Sequence, residues 1–167
     1  GIHLISGGDS GGAKTHVLSL LENLNRTITA RLVCFRDGPF AEEARQRGIP
    51  TEIMGGNNIL RIRRQLTSYI RQEGFQLIHC HGSRANMIGA LLRGTTHLPV
   101  VTTVHSDYKL DYMGRPMGRL TFGNINAWAL RQMDYRIGVS DAMVDLLIQR
   151  GFPPERFFAI YNGIDFT

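Results

Sequence analysis

Short apolar runs alternate along the chain with longer stretches of helical period. That alternation predicts strands at Ile2–Ser6, Ile28–Phe35, Thr51–Met54, Gln76–Cys80, Val100–Val104, Tyr135–Val139 and Phe157–Ile160. Helices are predicted between them at Gly12–Asn23, Phe40–Arg47, Asn58–Glu73, Arg84–Arg93, Arg115–Gln132 and Asp141–Arg150. Strand runs that are apolar on both faces belong in a parallel sheet covered by helices, and the short Gly-rich connections fit βα units. The first helix would lay Val17, Leu20, Leu21 and Leu24 on the sheet. Ser140 and Asp141 are placed to cap the last helix, and Gly151 with Pro153 and Pro154 to end it. The expected fold is α/β: a doubly wound, Rossmann-like, mostly parallel sheet of about seven strands with helices on both faces. Residues 1–167 form a single domain on this reading.

Composition narrows the picture only a little. The chain has 167 residues, 43% apolar and 20% charged, which suits a packed core and argues against disorder. It contains no run of ~18 apolar residues that could cross a bilayer as a helix. Lys+Arg number 19 against 14 Asp+Glu, for a net charge of +5, and only Lys14 and Lys109 are lysines. That balance favours an anionic partner without choosing one. Cys34 and Cys80 each sit inside an apolar run and read as core thiols in a reducing compartment. With no basic-then-apolar leader, a cytoplasmic protein is expected. The chain opens in an apolar strand without Met and stops at Asn162-Gly163-Ile164-Asp165, so it reads as a piece of a longer protein.

Sheets of this class hold ligands beyond the carboxyl ends of their strands. After the first strand comes Gly7-Gly8-Asp9-Ser10-Gly11-Gly12-Ala13-Lys14-Thr15, running into a helix. Glycines let the backbone approach a ligand closely, and a helix N-terminus offers free N–H groups to a phosphate. The dinucleotide fingerprint fails here, because its second Gly would fall on Asp9 or Ser10. The P-loop spacing from Gly7 to Gly12 is right, but Ala13 displaces Lys14 and Thr15 by one residue. An NTPase is therefore the runner-up.

The fourth strand ends His79-Cys80-His81-Gly82-Ser83, with both histidines on one face. Such a pair could hold a metal, but no third ligand of fitting spacing stands out, and no metal site is expected. One histidine reads as hydrogen-bonded structure and His81 as facing the cleft. The next strand leads into His105, Ser106 and, further on, Lys109.

With these residues collected, the chain resembles the N-terminal domain of the family-4 retaining glycosyltransferases, which have the GT-B architecture. The resemblance lies in Gly-Gly-Ala-Lys-Thr-His at Gly11–His16, His-Cys-His-Gly-Ser at His79–Ser83, Thr-Val-His-Ser at Thr103–Ser106, Val139-Ser140, and Tyr-Asn-Gly-Ile-Asp at Tyr161–Asp165. It implies a two-domain sugar transferase of which this half binds the acceptor, with the donor-binding C-terminal domain outside this chain. Gly11 and Gly12 would approach the donor diphosphate, and His105 would lie near the transferred sugar as the catalytic residue. Asp9, Lys14, His81, Ser83, Ser106 and Lys109 would line the acceptor side. Asn162 and Gly163 would form the interdomain turn. The implied partners are a nucleotide-sugar donor and a lipid, saccharide or small-molecule acceptor, with no cofactor and no required metal. Tyr161 departs from the family's usual Pro at a position without chemistry.

The segment Asn58–Glu73 places Ile59, Ile62, Leu66, Tyr69 and Ile70 on one face and Arg61, Arg64 and Arg71 on another. It reads as a surface helix packed on the sheet; the alternative is peripheral docking on anionic lipid at the inner face of the membrane. A non-catalytic phosphate- or nucleic-acid-binding module is the third class. The arginines lack interleaved aromatics, so nucleic acid is not expected as a partner.

Overall fold

A computed structural model describes residues 1–7, 12–25, 30–104, 127–138, 149, 151 and 157–159, with 12–16, 104, 138 and 157–159 described by backbone alone. The strands are β1 Ile2–Ile5, β2 Arg31–Cys34, β3 Thr51–Ile53, β4 Ile78–His81, β5 Val100–Val104, β6 Tyr135–Gly138 and β7 Phe157–Ala159. The helices are α1 Gly12–Leu24, α2 Pro39–Gln46, α3 Ile59–Glu73 and α4 Ser83–Thr96. A further helical stretch covers 127–131, and the rest of the helix expected at Arg115–Gln132 lies outside the described residues. So does most of the helix expected at Asp141–Arg150, including its cap at Ser140 and Asp141.

All seven strands pair in parallel, in the order β3-β2-β1-β4-β5-β6-β7. The sheet is thus doubly wound, as the alternation predicts. Side chains on successive strand residues point to opposite faces, and this divides the core in two. On one face Ile2, Leu4, Ile78, Cys80 and Val100 pack with Ile62, Leu66 and Ile70 of α3 and with Ala85, Ile88 and Leu92 of α4. On the other, Ile5, Leu32 and Cys34 meet Val17, Leu18 and Leu21 of α1 and Phe40, Ala41 and Ala44 of α2. Leu18, not Leu20, completes the buried stripe of α1, packing with Ile5, Leu32 and Cys34 of β1 and β2; Leu20 is half-buried.

The α3 stripe matches expectation. Ile62, Leu66 and Ile70 are buried while Arg61, Arg64 and Arg71 are exposed. Each buried aliphatic side chain contributes about 1.5–3 kcal/mol. The Asn58 side chain accepts from the Arg61 N–H at the helix start, and Gly74 ends it in the left-handed conformation. Both cysteines are free and buried, one on each face, and burial pushes the Cys80 thiol up.

Candidate functional site

The strand order reverses direction at β1 and β4. From β1 the chain moves outward through α1 to β2, whereas from β4 it moves the other way through α4 to β5. Their adjacent carboxyl ends therefore open a crevice, the place where doubly wound sheets take ligands. Ile5 and His81 are register partners at its floor. From Ile5 the chain passes through Gly7, whose φ of 93° is left-handed and whose missing Cβ would strike the Arg36 carbonyl. Helix α1 starts at Gly12, with Lys14 in its first turn. Across the crevice Gly82, at φ 97°, turns β4 directly into α4, whose first residue is the half-buried Ser83. Two helices thus begin at one crevice, and their N-termini supply N–H donors and positive dipole ends.

The topology brings Gly12, Lys14, His81 and Ser83 to this crevice. Asp9, Gly11, His105, Ser106, Lys109, Asn162 and Gly163 lie outside the described residues. His105 follows directly on Val104, the last residue of β5, which neighbours β4.

His81 does not face open space. It is 1% exposed and belongs to a buried cluster that includes a histidine the spacing did not single out. His3 of β1 is the register partner of His79, and its Nδ1 lies 3.1 Å from His81 Nε2. His79 Nε2 lies 2.6 Å from the Thr103 hydroxyl on β5. His81 stacks on both other rings, with centroids 5.4 Å from His3 and 4.3 Å from His79, and the His3 and His79 rings are tilted by 32° with centroids 4.8 Å apart. Burial, with the charge of His79 second, holds His3 well below the usual histidine range, so His3 is neutral.

His3 thus supplies the third histidine that sequence spacing lacked, and one nitrogen from each ring lies within 4.8 Å of the others. Neutral imidazoles suit zinc as donors. Their arrangement does not. His79 Nε2 is engaged with the Thr103 hydroxyl. Two of the nitrogens also already share a hydrogen bond. The cluster is a hydrogen-bonded stack beneath the crevice.

The sequence profile described as Glycosyltransferase Family 4 matches residues 10–167. Among solved structures, the Anabaena protein Alr3699/HepE in complex with UDP superposes with a TM-score of 0.80 at 21% identity, over 98% of this chain and 44% of that one. A glycosyltransferase from Rickettsia africae gives 0.72 at 15% identity, over 98% and 43%. A putative UDP-N-acetylglucosamine 2-epimerase from Listeria monocytogenes gives 0.68 at 11% identity, over 94% and 43%. At these identities the likeness speaks for the fold, which hosts more than one chemistry. The chain spans less than half the length of each. No curated protein matches it.

Proposed function

The chain belongs to glycosyltransferase family 4, and from that premise we propose that it is the acceptor-binding half of a retaining glycosyltransferase, completed by a donor-binding domain outside residues 1–167. The observation that carries this reading is the crevice between β1 and β4, bordered by Gly7, by the start of α1 at Gly12 and by Ser83 at the start of α4. Gly11 and Gly12 bring bare backbone and the α1 N-terminus to the donor diphosphate, where developing phosphate charge needs fixed positive dipoles. Lys14 and Asp9, with Ser83, Ser106 and Lys109, hold the acceptor. His105 orients the transferred sugar. The reaction uses no resident metal or cofactor, and the protein is cytoplasmic.

The donor is a nucleotide sugar. UDP and UDP-glucose are the ligands in structures of the Anabaena protein and supply the first probes. A site shared by two domains assembles on closure. In the full-length protein, His105→Ala is expected to lose most turnover with unchanged folding, and residues 1–167 alone to transfer nothing. Near-normal turnover by the variant contradicts the assignment of His105, and transfer by the isolated half contradicts the shared site.

A second partner, an anionic membrane surface, is supported by the distribution of charge. Residues 53–106 carry six arginines and one acid, Glu73, for a net +5, so the other residues sum to zero. Arg31, Arg45, Arg47 and Arg93 are paired with carboxylates. Among the described residues Arg61, Arg63, Arg64 and Arg84 form no ion pair, and Leu60 beside them is 57% exposed. No helix among the described residues is long and apolar enough to cross a membrane.

A further inference from the structure

We propose that the histidine stack positions the crevice, and that His3, which lies outside the crevice itself, is a positioning residue for sugar transfer. The inference rests on the functional reading above, but its first test does not.

The geometry is specific. The backbone ladder of β1, β4 and β5 ends at Ile5, His81 and Val104, and beyond it Ser6–Gly7 and Gly82–Ser83 lead away from the sheet at the crevice. The stack ties these strands together just below those exits. His81, the last residue of β4, reaches diagonally back to His3 of β1, two residues short of Ile5. His79 reaches across to Thr103, one residue short of Val104. Between the two bonds the His79 ring stacks on His81 and lies tilted against His3. The relative height of the exits is thus set by side chains as well as by the ladder. Errors of about 1 Å in such placement cost about 10²-fold in rate.

The bond between His3 and His81 needs a neutral His3. Burial and the neighbouring His79 both oppose a proton on His3. An apolar residue of similar size would preserve the packing and lose the shared proton. Asn, whose side-chain amide falls near the position of Nδ1, can keep that bond. This pair of substitutions separates positioning from filling.

The test uses the full-length protein and its His3→Leu and His3→Asn variants, each at a temperature well below its own midpoint of unfolding. The first readout is hydrogen exchange at the turn amides of Ser6, Gly7 and Ser83 to Ala85. The second is kcat against KM for release of UDP from UDP-glucose, with water taking the glucose in the absence of acceptor. In His3→Leu, exchange at these amides is expected to rise about tenfold and kcat to fall at least as far, with KM within about threefold. His3→Asn should stay within about threefold of wild type in both. Leu and Asn variants that behave alike, or a Leu variant with unaltered exchange, would overturn the proposal. Stabilisation of the wild type by Zn²⁺ that His3→Asn abolishes would also overturn it, in favour of a metal site. If the wild type releases no UDP, UDP-glucose is not its donor and the nucleotide-sugar mixture tests the glycosyltransferase reading, while the exchange readout still decides the role of His3.

Discussion

Gly89 of α4 lies directly on Cys80 of β4: a Cβ on Gly89 would overlap the Cys80 Sγ and come within 3.2 Å of Val100. This contact lets α4 sit close on the sheet and seats its first residue at the end of β4.

Gly89→Ala gains about 1 kcal/mol of helix propensity, but overpacking costs about 1–3 kcal/mol. A net loss of stability is expected, with partial recovery when Cys80→Ala is added to make room. Urea unfolding of the two variants checks this; an unshifted midpoint in Gly89→Ala contradicts the close approach.

The second prediction concerns pH. His3 takes up a proton less readily in the fold than in the unfolded chain, so between its two pKa values the unfolded state binds more protons. Its contribution is therefore fully present above about pH 6.5 and is lost as the pH falls below that value. His3→Leu should flatten the fall in stability between about pH 6.5 and 5. An equally steep fall in both proteins contradicts a buried neutral His3.

Asp134 anchors the far end of the sheet. One carboxylate oxygen accepts from the Val100 N–H at 2.8 Å, and both face the guanidinium of Arg93 at 3.0 and 3.2 Å. The Arg93 side chain is 47% exposed, so the ion pair itself contributes under about 1 kcal/mol. The bond to the Val100 amide counts for more. Asp134→Ala should cost about 1–3 kcal/mol, Arg93→Ala less, and Asp134→Asn should retain most of the stability. Thermal unfolding gives the ranking, and an Arg93→Ala loss equal to that of Asp134→Ala contradicts it.

Arg61→Glu with Arg64→Glu should abolish flotation with anionic phosphatidylglycerol vesicles and leave behaviour with neutral phosphatidylcholine vesicles unchanged. Each arginine near the surface is worth about 1 kcal/mol, so two reversals are enough to see. Unaltered flotation leaves α3 as a packed surface helix only.

The strand and helix alternation was legible because periods of two and 3.6 are written in the residues themselves. The edges were less so. β4 begins at Ile78, not Gln76, because its pairing with β1 and β5 starts there, and Gln76 and Leu77 stay exposed. Helix α4 runs on to Thr96, past the expected Arg93: the hydroxyls of Thr95 and Thr96 bond back to the Leu92 carbonyl, and His97 closes the helix at φ 58° without a glycine to announce it.

The site divides in the same way. Glycines before an amphipathic stretch mark a turn into a helix, so the start of α1 at Gly12 could be found by inspection. His3 could not, since it looks like one polar residue in an apolar strand. Only the strand order, which sets β1 beside β4, brings it to His79 and His81. That same neighbour explains why His81 is buried instead of facing the cleft.

The central claim is that this chain serves sugar transfer from a nucleotide sugar and not hydrolysis of a nucleoside triphosphate. One ³¹P NMR time course decides it, with full-length protein in a mixture of UDP-glucose, other nucleotide sugars and Mg²⁺-ATP. The expected result is growth of free nucleoside diphosphate from a nucleotide sugar, its sugar passing to water in the absence of acceptor, while ATP persists. Inorganic phosphate released from ATP, with every nucleotide sugar intact, would contradict the account.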